Sequence, residues 1–121
     1  MKKEKMKIVF FTSLSLVSIA SLWPSQDLPS NLPWDKASHT IAYFLITLLG
    51  LSAYPQRHLR IIVAVFTYGV CIEILQEYLP LGRTGEWFDL LANGIGMLIA
   101  YPFFIALRAI KGIKNDGEYG R

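Results

Sequence analysis

Residues 61–80, IIVAVFTYGVCIEILQEYLP, form an apolar stretch that only a few polar side chains interrupt. A helix of about 20 residues crosses the roughly 30 Å hydrocarbon core of a bilayer, so this stretch has the length of a membrane span. The chain contains three similar stretches. The four predicted spans are therefore residues 8–23, 37–54, 61–80 and 88–107. None of the four alternates apolar and polar residues as barrel strands do, so we predict that all are helices.

The composition also indicates a membrane protein. The chain of 121 residues is 53% hydrophobic and 17% charged, whereas soluble domains usually carry about 25% charged residues. Its single cysteine, Cys71, excludes both a disulfide framework and a thiolate zinc site. We predict an all-α membrane protein with one domain, residues 1–121, folded as a compact bundle of four transmembrane helices. A tail at 108–121 follows the bundle, and its last residues, 115–121, are expected to be loose.

The basic residues are distributed unequally between the two sides of the predicted bundle. Ten of the twelve Lys and Arg residues fall at the termini and between the second and third spans. These ten are Lys2, Lys3, Lys5, Lys7, Arg57, Arg60, Arg108, Lys111, Lys114 and Arg121. Only Lys36 and Arg83 fall on the other side. Because cytoplasmic loops are enriched in Lys and Arg, we predict that both termini are cytoplasmic.

The first stretch has a second interpretation. Lysines precede a short apolar region, and Ser18-Ile19-Ala20 resembles the small-x-small cleavage site of a secretory signal peptide. Cleavage would remove about residues 1–20 and leave three spans. The segment after Trp23 lies outside in both interpretations, so the other predictions do not depend on the choice.

Polar side chains recur at helical spacing near the outer ends of three predicted spans. Such residues are costly in a membrane, so each of them needs an explanation. They are Asp35, His39 and Tyr43 on the second span, Glu73, Gln76 and Glu77 on the third, and Asp89 and Asn93 on the fourth. The inner halves carry almost no comparable residues, so we predict a polar pocket that opens outward.

The chemistry of these groups suggests their roles. Lys36 and Arg83 are expected to bind a phosphate or carboxylate, which Arg83 can hold bidentately. Asp35 could orient His39 as a general base, so these two are the catalytic candidates. The remaining ligand-binding candidates are Tyr43, Glu73, Gln76, Glu77, Asp89 and Asn93. The structural alternative is that the polar groups only connect helices, at about 0.6–2 kcal/mol per hydrogen bond.

A metal site is a further alternative for the same residues. One imidazole beside carboxylates suits Zn, Mn or Fe. His39 is not part of an HExxH motif or of a pair of histidines at ligand spacing, so we predict no metal and no cofactor. The sequence contains no glycine-rich phosphate loop and no nucleic-acid-binding module, so a nucleic-acid partner is not expected either.

Small residues predict close helix packing. Ala92, Gly96 and Ala100 recur every four residues on the fourth span, and such stripes let helix backbones approach each other in membranes. Gly69 and Gly94 are interpreted in the same way.

The polar residues also carry a resemblance to a known family. The segment 35–44, Asp35-Lys36-Ala37-Ser38-His39 followed by Tyr43-Phe44, resembles the DKxxH-xxxYF opening of the VanZ-like membrane protein family. The segment 73–76, EILQ, is similar to its ExxQ element. The segment 83–96 is similar to its closing R-x(5)-D-x(3)-N-G-x-G pattern. The similarity covers roughly residues 33–106.

The resemblance implies a multi-pass protein of the bacterial inner membrane. For the founding member it implies a role in resistance to the glycopeptide teicoplanin, and it implies no defined reaction. General work in the cell envelope is therefore the expectation for this chain. The family's motif residues are, in this sequence, Asp35, Lys36, His39, Tyr43, Glu73, Gln76, Arg83, Asp89 and Asn93.

Two functions are compatible with these observations. The first is the binding or processing of a cell-envelope component at the outer leaflet, either a lipid-linked cell-wall precursor or an anionic lipid headgroup. Whether the protein is an enzyme is left open. The alternative is a non-enzymatic assembly module or a small ion or proton transporter, as an oligomer, with Glu73 at its centre. The inner half lacks a polar path, which ranks transport second.

Overall fold

The computed structural model describes residues 2–23, 33–80 and 87–119, with the side chains of 33–35 and 113–119 excepted. These residues form four α-helices and no strand: α1 Lys2–Leu22, α2 Pro33–Ala53, α3 His58–Tyr78 and α4 Trp87–Tyr119. The predicted all-α fold is confirmed. Helix α2 ends immediately before Tyr54-Pro55 and α3 ends before Pro80, because proline cannot continue a helix.

Among the described residues, three segments are long and apolar enough to cross a membrane: Lys2–Leu22, His58–Tyr78 and Trp87–Gly112. Helix α2 has the same length as α1 and α3, 21 residues, but polar side chains in its first turns, such as Lys36 and His39, make it less apolar. A fourth span therefore stays a prediction. Large apolar side chains cover the outside of the helices, as expected for a membrane protein; they include Ile8, Phe11, Leu16, Ile41, Leu59, Val63, Phe66, Leu91, Leu98 and Ile99.

The helices alternate in direction, so α2 runs parallel to α4 and α1 runs parallel to α3. The contacts show the first pairing, because Thr40 lies beside Ala92 and the Phe44 ring lies 5.4 Å from the Phe103 ring. Helices α2 and α4 share the most extensive interface in the bundle. The tight turn between α2 and α3 is also joined to α4, since Arg108 donates to the carbonyl oxygen of Pro55 over 3.4 Å.

Helix α1 is attached through a few specific contacts. Phe10 is its only buried residue and packs with the core residues Ile46, Leu51, Val65 and Met97. Further along the helix, the Tyr68 hydroxyl lies 2.9 Å from the carbonyl oxygen of Leu14 and 2.7 Å from the Ser18 hydroxyl. These contacts connect α1 to α3.

The end of α4 differs from the prediction. Instead of a loose tail, the helix continues to Tyr119. The segment after Pro102 contains Ala, Leu, Arg and Lys, which have good helix propensities, and no further proline to stop the helix. The helical pattern therefore persists beyond the predicted span.

Gly96, in the small-residue stripe, is confirmed as a position of close helix packing. Gly94, which lies outside the stripe, is not. A Cβ atom added at Gly96 would collide with the backbone of α2, whereas one added at Gly94 would meet nothing within 4 Å. Gly94 faces an apolar groove between α3 and α4 that Phe66, Leu98 and Tyr101 help to line. Its interpretation as a close packing position is therefore wrong, because only one face of α4 lies against α2.

Thr47 lies in the core with its side chain completely buried. Within the described part of the chain its hydroxyl has no hydrogen-bond partner. Burying an unpaired hydroxyl costs about 1–3 kcal/mol, so we expect Thr47→Val to raise the free energy of unfolding by about 1 kcal/mol. Circular dichroism during unfolding of the detergent-solubilised protein measures the change. Thr40→Val, which removes a hydroxyl with partners, is the control and should lower stability by about 1 kcal/mol; a destabilised Thr47→Val would contradict the prediction.

Candidate functional site

The first turns of α2 and α4 place Lys36 beside Asp89. The Lys36 Nζ atom lies 3.4 Å from Asp89 Oδ1 and 5.6 Å from the centre of the Phe88 ring. The lysine side chain is 41% exposed and the aspartate side chain 8%. Asp89 also belongs to the first turn of α4, where free N–H groups and the helix dipole favour negative charge. A partly exposed lysine side chain therefore pairs with a buried carboxylate.

His39 contacts α4 through both nitrogens of its ring. Its Nδ1–H donates to Asn93 Oδ1 over 3.2 Å, since the carbonyl oxygen of an amide can only accept. Its Nε2 lies 3.8 Å from Asp89 Oδ2. Asn93 is itself buried and follows Asp89 by one helical turn. The imidazole is thus held between two side chains of one helix.

Glu73 brings α3 into the same group. One ligand atom each of His39, Glu73 and Asp89 lie within 4.8 Å of one another, and both carboxylates are buried. We call Lys36, His39, Glu73, Asp89 and Asn93 the polar cluster. Among the described residues, it combines two buried carboxylates, one imidazole, one amide and one ammonium group.

Thr40 is not among the predicted site residues, yet it fixes the register of α2 against α4. Its hydroxyl lies 3.0 Å from the carbonyl oxygen of Lys36 and 3.2 Å from that of Ala92. The absence of a side chain at Gly96, one turn after Ala92, lets the α2 backbone approach at this level. The sequence did contain a signal for Thr40. It is a hydroxyl residue four positions after Lys36, on the helix that faces the small-residue stripe.

One member of the polar cluster, Glu73, also lines a cleft between α3 and α4. The cleft has a volume of about 350 Å³, and Glu73 and Glu77 both line it. Its rim carries Tyr78 and Trp87, whose side chains are among the most exposed of the large hydrophobic residues. Glu77 is exposed, so the structure places it beside the cluster and on the surface, one turn from Glu73.

Two other predicted residues lie apart from this cleft. The Gln76 side chain is buried and its Nε2 donates to the carbonyl oxygen of Ser21 over 2.8 Å, which ties the end of α1 to α3. Tyr43 is buried in the core, with its ring 6.2 Å from that of Tyr68. Both residues therefore support the helices that carry the cluster.

The remaining two predicted residues are Asp35 and Arg83. The side chain of Asp35 and the whole of Arg83 lie outside the described residues. Their roles, as the partner of His39 and as the second cation, stay predictions.

The comparisons with known proteins agree with the motif resemblance. The model of the VanZ/LLP1 family matches residues 1–108. This range extends beyond the motifs, since it includes α1 and the α4 segment after Gly96. Comparison with curated proteins and with solved structures gives no match. With most of its length matched, the chain belongs to the VanZ/LLP1 family.

Proposed function

We propose that this membrane protein binds a phosphate-bearing lipid of the cell envelope at the polar cluster. The ligand is a lipid-linked cell-wall precursor or an anionic phospholipid. The observation that carries the proposal is the placement of Lys36, whose partly exposed side chain ends 3.4 Å from the Asp89 carboxylate, which also faces His39. A lysine at the mouth of a buried polar site is suited to a phosphate group, which it contacts as a compact point charge.

The aromatic rim of the cleft supports a lipid as the ligand. Exposed Trp and Tyr side chains are typical of the level where a membrane meets water, which is also the level of lipid headgroups. Tyr78 at the end of α3 and Trp87 at the start of α4 occupy such positions beside Glu73. A headgroup could thus enter the cleft from the side while its acyl chains stay in the bilayer.

The contacts of His39 favour binding over catalysis by this residue. A general base needs a free nitrogen within hydrogen-bond reach of the proton that it removes. In the cluster, Nδ1 faces Asn93 and Nε2 faces Asp89. Catalysis by His39 with Asp35 would require one of these contacts to break.

The orientation completes the proposal. The unequal distribution of Lys and Arg supports an orientation with both termini in the cytoplasm and the cluster on the outer side of a bacterial inner membrane. Transport ranks second because the other half of the bundle is packed with Ile46, Leu51, Val65 and Phe104. Among the described residues, no buried charged side chain lies in that half to carry an ion away from Glu73.

Thermal unfolding of the detergent-purified full-length chain tests the proposal, because a ligand that binds only the folded state raises the melting temperature. The ligands are a lipid-linked cell-wall precursor, phosphatidylglycerol, phosphatidylcholine, inorganic phosphate and teicoplanin. We expect a rise of several degrees with one of the first two and none with phosphatidylcholine. A rise with inorganic phosphate alone would point to the free anion, and one with teicoplanin would support a direct link to glycopeptide resistance.

Lys36→Gln should weaken binding of the active lipid about tenfold or more, since a hydrogen bond to a charged group contributes about 1.5–3 kcal/mol. Lys111→Gln removes the same charge from an exposed position near the far end of α4 and should bind like the wild type. Equal affinity in both variants would place the lipid elsewhere on the protein.

A further inference from the structure

His39, Glu73 and Asp89 come from three different helices, and each contributes one possible metal-ligand atom to the same small group. The three atoms lie within 4.8 Å of one another. Ligands of a divalent metal ion at about 2.0–2.2 Å lie roughly 3–3.5 Å apart in a tetrahedral or octahedral shell. The observed His39 Nε2–Asp89 Oδ2 separation of 3.8 Å needs only a small side-chain movement to reach this range.

Asn93 prepares His39 for such a role. When the Asn93 amide accepts the Nδ1–H of neutral His39, Nε2 is the ring nitrogen that carries the lone pair, and it lies on the side of Asp89. A histidine that ligates a metal almost always donates its other ring N–H to an acceptor, which fixes both the tautomer and the orientation of the ring. Asn93 is buried, so water does not compete readily for this hydrogen bond.

The two oxygens of Asp89 face different groups. Lys36 Nζ lies 3.4 Å from Oδ1, whereas Oδ2 is the oxygen that faces His39. A divalent ion can therefore bind Oδ2 while the contact with Lys36 is kept. Glu73 and Asp89 are both buried, so little water weakens their attraction to such an ion.

We propose that His39, Glu73 and Asp89 bind one divalent first-row transition-metal ion of the class of Zn²⁺, Mn²⁺ or Fe²⁺. The imidazole ligand favours these ions over Mg²⁺ and Ca²⁺, which prefer oxygen ligands. Three protein ligands leave at least one coordination position open. The open position would receive a phosphate oxygen beside Lys36, and this role rests on the proposed function. The binding of the ion itself does not depend on the proposed function.

Isothermal titration of the tag-free, EDTA-treated full-length protein in detergent tests the metal site. We expect about one equivalent of Zn²⁺ or Mn²⁺ to bind, and Mg²⁺ to bind at least tenfold more weakly. Glu73→Gln and His39→Gln should each lower the affinity at least tenfold, and Asn93→Ala about 10–100-fold, as for other residues that orient a ligand. Glu4→Gln removes an exposed carboxylate at the start of α1 and should bind metal like the wild type.

The absorption spectrum of the Co²⁺-loaded wild type provides a readout that does not depend on the folding of a variant. Visible bands of a site with nitrogen and oxygen ligands are expected, and they should disappear when Zn²⁺ is added. No saturable binding by helical wild-type protein, or unchanged affinity in folded Glu73→Gln, would overturn the proposal.

The outcomes separate the metal site from the lipid site. Metal binding without a lipid-induced rise in melting temperature supports the ion and contradicts the proposed function. A lipid-induced rise that persists in EDTA, together with no saturable metal binding, overturns the metal site and supports the proposed function.

Discussion

Gly96→Val is expected to lower the free energy of unfolding by about 3 kcal/mol, at the upper end of the cost of overpacking a core. A Cβ at this position would overlap the carbonyl oxygen of Thr40 and lie 2.9 Å from the amide nitrogen of Phe44. Both are backbone atoms of α2 and cannot rotate away as a side chain could. The two helices must therefore separate along their most extensive interface.

The separation should also disrupt the polar cluster, because α2 carries Lys36 and His39 while α4 carries Asp89 and Asn93. Unfolding in mixed detergent micelles, followed by circular dichroism, gives the stability, and the lipid and metal titrations give the binding. Gly94→Val is the matched control, since an added Cβ meets nothing within 4 Å there. Equal losses in the two variants would show that helix propensity, and not the contact with α2, decides the effect.

Asp89→Ala is expected to weaken lipid binding, because it removes the carboxylate that positions Lys36, and to lower the free energy of unfolding by about 2–3 kcal/mol. Breaking a fully buried ion pair costs about 3–5 kcal/mol, and the half-exposed Lys36 side chain reduces that cost. The substitution removes the carboxylate that faces both Lys36 and His39. It also removes the favourable charge from the first turn of α4.

The same unfolding and binding measurements check this expectation, with Glu4→Ala as the matched control. The Glu4 carboxylate also pairs with a lysine, Lys7, at 3.1 Å, but on the exposed surface of α1. Such a pair contributes little, so a change within about 0.5 kcal/mol is expected. If Asp89→Ala were as stable as Glu4→Ala and bound lipid as tightly, the polar cluster would have no role in either property.

The convergence of His39, Glu73, Asp89 and Asn93 follows from the sequence alone. Long apolar stretches joined by short connections form helices of alternating direction, so polar groups at the same predicted depth meet at one end of the bundle. The helical spacing of four residues further places Asp89 and Asn93 on one face. The alternating helix directions and the four-residue spacing together predict which residues form the cluster. They do not predict the distances between those residues.

Helix rotation is the part that the sequence does not determine. Gln76 and Glu77 are neighbours on α3, yet Gln76 is buried against Ser21 and Glu77 is exposed. A turn of about 100° separates successive residues, and only the packing of α1 against α3 decides which of them faces inward. For the same reason the hydrogen bond from His39 to Asn93, which decides the tautomer of the imidazole, could not be predicted.

The attachment of α1 bears on the maturation of the protein. A chain cut after Ala20 would retain Tyr68 but lose both Leu14 and Ser18, the partners of its hydroxyl. It would also lose Phe10. The Phe10 ring packs closely against Gly50 of α2, since a Cβ atom added there would lie 3.0 Å from it. The VanZ/LLP1 match includes this helix. The N-terminal segment therefore has the contacts of a permanent anchor, and the mature protein is expected to keep it instead of discarding it as a secretion leader.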